Sequence, residues 1–347
     1  MTRGIGWYVH HQGAGHLQRA RAVAAHLHRP CTVIGTLAGF DTAGLDILDL
    51  PDDRPLNDGD DDGAGFSGQD GEAERPETFH YAPLRHPGLR VRMARIAAWV
   101  ERTDPALVVV DVSVEVALFA RLLSVPTVVV RLAGDRTDRP HREAFRSADR
   151  VLAPFPEALE APGTPDWVRA KTFYAGFLGG DAPAARDGDD IVVVFGRGGE
   201  GGDFAALAAA ARFVPDRRWQ VLGPVRGRGE APPNLHLHGW VPDVETYLAG
   251  AAILVGGAGD GLVALASAAG KPFVCLPEPR AYDEQTSKAD ALARLKAALV
   301  RPAWPAAGDW PALVREALSL DRTAIARLHD PAGLTRCAQF LEDLAGR

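Results

Sequence analysis

The sequence predicts an α/β protein of two doubly wound units, each a parallel sheet with helices on both faces. Three observations carry this. The chain has 347 residues, more than one ordinary core organises and suited to two domains of roughly 150–180 residues. Short β-branched apolar runs alternate with helix-like stretches for nearly the whole length. The alternation breaks at 178–190, LGGDAPAARDGDD, a Gly-, Ala-, Asp- and Pro-rich linker, and restarts at Ile191.

The elements follow in order. IGWYV (5–9) predicts a strand, followed by a helix from about His16 to Leu27, then strands CTVIG (31–35) and DILDL (46–50). Residues 52–75 carry nine acidic and two basic side chains and almost nothing apolar. Such a segment buries too little to fold alone and predicts a mobile loop; its acids lack the spacing of a calcium loop. A helix over about 87–102 leads to the strand LVVVD (107–111), a helix over 114–123, and the strands PTVVVR (126–131) and RVLA (150–153). After the linker come IVVVF (191–195), a helix over 203–213, WQVLG (219–223), LHLHGW (235–240) and a short helix near 243–249. AILVGG (252–257), a helix over 260–269, PFVCLP (272–277), a helix over 286–297 and a final helix over about 331–344 complete the pattern. Continuous apolar strands, in place of alternating ones, mark sheets covered on both faces.

Composition narrows the function. The net charge is −7, which argues against nucleic-acid binding; of the 38 basic residues four are Lys, and the Arg excess accompanies much Ala and Gly. No apolar stretch has the roughly 18–20 residues of a membrane span, and Met1-Thr2-Arg3 leads into a strand and not a signal peptide. Cys31, Cys275 and Cys337 are far apart and form no CxxC pair. They read as reduced thiols in a cytoplasmic protein, with no metal or cofactor implied and no membrane contact indicated.

Two Gly-rich turns follow strands in the second half. FGRGGEGGD (195–203) contains G-x-G-x-x-G at Gly196, Gly198 and Gly201. A dinucleotide site needs an acid at the end of the next strand, which here ends Leu222-Gly223-Pro224, so hydride chemistry is not favoured. Its backbone N–H groups could instead cradle a diphosphate. The second turn, Gly256-Gly257-Ala258-Gly259, precedes a helix, then Gly270-Lys271-Pro272, a strand reaching Pro277, and a loop with Asp283-Glu284-Gln285. No Walker lysine is present.

This order of motifs resembles the donor site of GT-B glycosyltransferases, in the branch of the bacterial lipid II-forming N-acetylglucosaminyltransferase. That branch has a Gly-rich loop and helix, G-x-P, an apolar strand ending in Pro, and D-x-Q or E-Q before a helix. Its first loop, G-x-G-H before a helix, is matched by Gly13, Gly15 and His16. The resemblance implies a GT-B fold, two Rossmann-like domains facing a central cleft. Residues 1–180 would form the acceptor-side domain, 181–330 the donor domain, and 331–347 a helix returning to the first. It also implies a nucleotide-sugar donor and a small-molecule or glycan acceptor. By position, Gly13 and Gly15 would lie under the diphosphate, with Gly196, Arg197, Gly198 and Gly199 at the domain junction. Gly257, Ala258, Gly259 and Asp260 would meet the phosphates by backbone. Asp283, Glu284 and Gln285 would reach sugar hydroxyls, which a carboxylate and an amide suit because a hydroxyl both donates and accepts. Taken alone, Asp-Glu-Gln also reads as the first turn of a helix. Two positions depart from the branch: Leu265 stands where its ribose-binding Glu would be, and Lys288 where an Asn is usual.

Inverting transfer needs a base for the acceptor proton. His16, after the first strand, suits it, with Asp111 at the end of LVVVD as orienting carboxylate; Asp111 could equally cap the helix starting at Val114. His10 and His11 lie close by, on the acceptor side or as rival bases. A metal held by His10, His11 and His16 is disfavoured, because adjacent strand residues point to opposite faces. The polar loop 131–142, with Arg131 and Asp135, is placed on the acceptor side. The expected function is therefore metal-independent inverting sugar transfer. The alternatives are a nucleotide-sugar hydrolase, suggested by G-x-G-H-x-x-R through Arg19, and a non-catalytic sugar- or nucleotide-binding protein, suggested by Leu265.

Overall fold

The computed structural model describes residues 2–10, 14–53, 76–179, 188–196 and 199–347. His11, Gly13, Arg197, Gly198, most of the acidic segment and much of the linker lie outside the described residues. The chain forms two compact units, Met1–Phe155 with Pro162–Leu178 and Pro331–Arg347, and Pro156–Ala161 with Gly179–Asp330.

The first unit runs β1 (Ile5–Tyr8), α1 (Ala14–Ala24), β2 (Cys31–Gly35), β3 (Asp46–Asp49), α2 (Pro87–Thr103), β4 (Leu107–Asp111) and α3 (Val114–Leu122). It continues through β5 (Thr127–Val130), α4 (Arg139–Ser147), β6 (Arg150–Ala153), α5 (Asp166–Lys171) and β7 (Thr172–Tyr174). Among the described residues the strands form one parallel sheet of order β3-β2-β1-β4-β5-β6-β7. Alternation on β4 shows why its run is apolar throughout: Leu107 and Val109 join one core, Val108 and Val110 the other. Close packing also explains Gly6, where a Cβ would stand 2.5 Å from the Trp99 ring.

Two sequence expectations are corrected here. The 131–142 stretch is loop only to Asp138, because Asp138 caps α4 by accepting from the His141 amide and a proline sits in its first turn. Pro140, His141, Ala144 and Phe145 then form its buried face at helical spacing. The first helix starts at Ala14 and ends at Ala24, so His16 lies within it and does not open it.

The second unit runs β8 (Asp190–Val194), β9 (Gly202–Asp203), α6 (Phe204–Phe213), β10 (Trp219–Leu222), β11 (Val225–Arg226), β12 (Leu235–Gly239) and α7 (Val244–Ala249). Then come β13 (Ala251–Gly256), α8 (Asp260–Ala269), β14 (Phe273–Cys275), α9 (Glu284–Arg294), β15 (Leu299–Val300), α10 (Trp310–Leu318) and α11 (Arg322–Ala326). Its main sheet has the order β12-β10-β8-β13-β14-β15, while β9 and β11 pair separately. Trp219 and Trp310, both buried, meet edge to face at 4.8 Å within its core.

The chain then returns to the first unit as α12 (Gly333–Ala345), which packs on α1 and buries Cys337, Ala338 and Leu341 in the core shared with Ile5 and Val23. Phe340 stacks on Phe173 at 4.2 Å, and Glu342 accepts from the amides of His28 and Arg29. No helix among the described residues is long and apolar enough to cross a membrane.

Candidate active site

In the first unit the sheet order reverses between β1 and β4, the place where open α/β sheets form a crevice at their strand ends. Both strands end there, and they bring together α1 and Asp111. The Asp111 carboxylate is fully buried. Its Oδ2 accepts from Nη1 of Arg19 at 2.8 Å, and its Oδ1 lies 3.0 Å from Nδ1 of His16. The His16 contact is close but off the line of a full hydrogen bond, so we treat it as electrostatic. Burial pushes the Asp111 carboxyl up, but Arg19 and His16 outweigh it and hold it at about 2.

Asp111 does not cap α3. Ser113 does, accepting from the Val116 amide, and between them Val112 takes a φ of +66°. A β-branched residue in that region costs on the order of 1–3 kcal/mol, and such strain gathers at functional sites. With Nδ1 facing Asp111, the other ring nitrogen of His16, Nε2, points away from the carboxylate. The His10 ring lies edge-on to His16, centroids 6.1 Å apart, while Gly15 is exposed with nothing near its missing Cβ.

The other residues assigned to the acceptor side are placed differently. Arg131 is buried, with its guanidinium over the Phe155 ring at 5.4 Å. Asp135 is exposed and accepts from the amide and hydroxyl of Thr137, a local turn.

The structure adds a cluster that sequence reasoning missed. His80 Nε2 lies 3.2 Å from Asp138, whose oxygens also receive His141 Nδ1 at 2.9 and 3.0 Å. These three side chains are the group among the described residues with metal-ligand spacing. Nε2 of His141, however, faces Nη1 of Arg136 at 3.2 Å. A guanidinium only donates, so that nitrogen must accept and the proton sits on Nδ1, bonded to Asp138. A metal-bound histidine instead donates from its second nitrogen. The cluster is thus satisfied as a hydrogen-bonded chain. Burial, with Arg136 and His80, brings His141 down to about 4 against the pull of Asp138, and the two histidines hold Asp138 below the usual carboxylate range although burial opposes them. The sequence read Asp138 and His141 as part of a polar loop, and His80, far upstream, had no local signal.

In the second unit the two Gly-rich turns differ in what their helices offer. The α6 N-terminus is closed by its own residue, since Asp203 accepts from the Ala206 amide. Gly199 is crowded, a Cβ there falling 2.0 Å from Glu278 Oε1, and Gly196 is open. At this helix end an acid of the chain itself already accepts from one of the amides. The α8 N-terminus has Gly259 at its cap with no side-chain bond, and Cβ atoms at Gly259 and Gly261 would meet nothing within 4 Å. It is the open end.

Gln285 was expected to reach a sugar. It is buried instead, within the first turn of α9, and its Oε1 accepts from the amides of Ala258 at 2.8 Å and Glu278 at 3.0 Å. Its work is to tie the β13–α8 loop to the β14–α9 loop, which also explains Gly257, where a Cβ would stand 2.8 Å from that oxygen. Asp283 is exposed, and with Tyr282 it occupies the left-handed region, at φ of +53° and +61°. Glu284 begins α9 and is half-buried. Leu265 is half-buried on α8, and Lys288 is wholly buried against Asp260. Sequence reasoning also passed over Trp240, 55 % exposed just after β12.

No protein-family model and no curated protein sequence matches the chain. Solved structures do match it over its length. A glycotransferase of kitacinnamycin is 16 % identical at a TM-score of 0.72, covering 99 % of this chain and 100 % of that one. MurG of Acinetobacter baumannii is 17 % identical at 0.67, covering 98 % and 99 %. The glycosyltransferase VinC, solved with dTDP, is 16 % identical at 0.66, covering 99 % of both chains. At this identity the likeness is one of fold: two parallel-sheet α/β domains of the GT-B type.

Proposed function

We propose that the protein is an inverting glycosyltransferase that moves a sugar from a nucleotide-sugar donor to an acceptor hydroxyl, with His16 as general base and no metal in the step. The observation that carries the reading is the His16–Asp111 contact at the switch point of the first sheet. As the acceptor oxygen forms its bond to the sugar C1, its proton passes to Nε2 of His16 and the bond from C1 to the diphosphate oxygen breaks. The imidazolium that results faces the Asp111 carboxylate, which stabilises it.

The donor diphosphate is assigned to the open N-terminus of α8, where no cap side chain bonds and where the helix dipole favours the negative charge released on the leaving group. Asp283 and Glu284 remain as the groups for sugar hydroxyls, with Gln285 supporting the loops around them. Trp240 offers an exposed aromatic face for a base. His10 and Asp135 stay as acceptor-side candidates.

The test is a panel of nucleotide-sugars with and without candidate acceptors. His16→Ala should lower turnover by roughly 10²–10⁴-fold while donor affinity changes much less, because proton removal belongs to the transition state. Asp111→Asn should lower turnover less. Release of free sugar at the same rate without an acceptor would mean that water is the acceptor and the protein a hydrolase. Nucleotide binding with no turnover of any donor would leave a non-catalytic binding protein. Near-normal turnover in His16→Ala would remove the histidine from the mechanism.

A further inference from the structure

All five residues of β4 are buried, and Asp111 ends the strand as its charged member. Burial alone would favour a neutral carboxyl there. His16 and Arg19, which face the two oxygens, stand three residues apart on α1 and so share a face of that helix. They hold the carboxylate differently. Nη1 of Arg19 donates a full hydrogen bond to Oδ2 at 2.8 Å, whereas the 3.0 Å approach of His16 to Oδ1 lies off the line of one. The carboxylate is therefore anchored from the arginine side, and the imidazole faces an oxygen whose position it does not set. Fold stability gives little reason for the arginine, which is 8 % exposed on a helix that otherwise sends Leu17, Ala20 and Val23 into the core. Apolar residues of similar volume commonly serve a fold as well as a buried ion pair does, or better.

We infer that Arg19 is a positioning residue of the sugar-transfer step: by fixing the Asp111 carboxylate it keeps Oδ1 facing His16 while the imidazole takes the acceptor proton. The inference rests on the reading of His16 as base. Arg19 need not touch donor or acceptor, because it acts through the carboxylate. Without it the carboxyl group can turn away from the imidazole, and burial favours the neutral form, which stabilises an imidazolium far less.

Steady-state kinetics with UDP-glucose, UDP-N-acetylglucosamine and dTDP-glucose over a panel of alcohol and phenol acceptors test it, beside calorimetric titration of UDP and dTDP. The proteins compared are the wild type, Arg19→Met, Arg19→Lys, Asp111→Asn and the Arg19→Met/Asp111→Asn double variant. Arg19→Met should lower kcat by roughly 10- to 100-fold, the size of a lost hydrogen bond to a charged group, while nucleotide affinity stays as in the wild type. Arg19→Lys keeps the charge and a donor and should recover part of that loss. In the Asp111→Asn background there is no carboxylate to hold, so the double variant should turn over no more slowly than Asp111→Asn alone. Losses that multiply in the double variant would mean that Arg19 acts apart from Asp111, which overturns the proposal. Wild-type kcat in Arg19→Met overturns it too, as does a loss of kcat and affinity together that follows the Tm of each variant. Should Arg19→Met not fold, the comparison of Asp111→Asn with the double variant still decides, since both lack the carboxylate. Normal turnover in Asp111→Asn would instead overturn the reading of the His16–Asp111 pair beneath the proposal. Absence of wild-type turnover with every donor and acceptor would overturn the transfer reading itself.

Discussion

The guanidinium of Arg19 lies 2.8 Å from Oδ2 of the wholly buried Asp111, one helical turn after the histidine that faces the other oxygen. The carboxylate is therefore held ionised far below its ordinary range, at about 2. Its folded-state value is lower than the unfolded one near 4, so the stability it adds is fully present above that value and is lost as pH falls through about 2. Between pH 5 and pH 2 the stability gap between wild type and Asp111→Asn should narrow by on the order of 2 kcal/mol. Denaturant titrations across that window check it; a gap independent of pH would mean that the carboxylate is not held in this way.

Gln285→Ala should destabilise the second unit by about 2–4 kcal/mol, because it strands two amides, each costing about 1–3 kcal/mol. Gln285→Glu keeps the accepting oxygens and should cost less. Equal losses in the two variants, measured by chemical denaturation, would show that the side chain does not tie the loops as described.

Gly259→Ala and Gly261→Ala separate ligand approach from folding. Neither Cβ meets anything within 4 Å, and Gly261 lies inside α8. Gly261→Ala should leave stability unchanged or raise it by about 0.5–1 kcal/mol, yet both variants should bind a nucleoside diphosphate more weakly. Unchanged affinity would place the ligand elsewhere.

Asp138→Ala removes a helix cap and the acceptor of two histidines, and should cost about 1–2 kcal/mol. Because Arg136 fixes the His141 tautomer, neither added Zn²⁺ nor EDTA should move the wild-type melting temperature. A rise with Zn²⁺ that Asp138→Ala abolishes would show the cluster to be a metal site after all.

The strands and their order in sequence were legible because a β-branched apolar run has few other uses in a buried sheet. LVVVD is β4 from end to end. What was not legible was built from polar residues. The helix RPHREAFRS reads as loop until its cap and its buried face, Pro140, His141, Ala144 and Phe145, are seen together. In the candidate site the meeting of His16 with Asp111 followed from strand-end logic, whereas Arg19 as partner to the same carboxylate needed the packing of α1 against β4. Gln285 shows the opposite failure: a motif position chosen for its chemistry spends its oxygen on two backbone amides. His80 and Asp138 are 58 residues apart, and no local pattern announces their contact.

The placement of α12 bears on biosynthesis. The core beneath α1 includes Cys337, Ala338 and Leu341, so it stays open until these residues emerge from the ribosome, after the whole of the second unit. During that interval Leu17, Ala20 and Val23 have no cover from α12, and transiently exposed apolar surface of this kind is prone to aggregate. Vectorial synthesis thus lets the second unit close first, and the unit begun first is the one completed last.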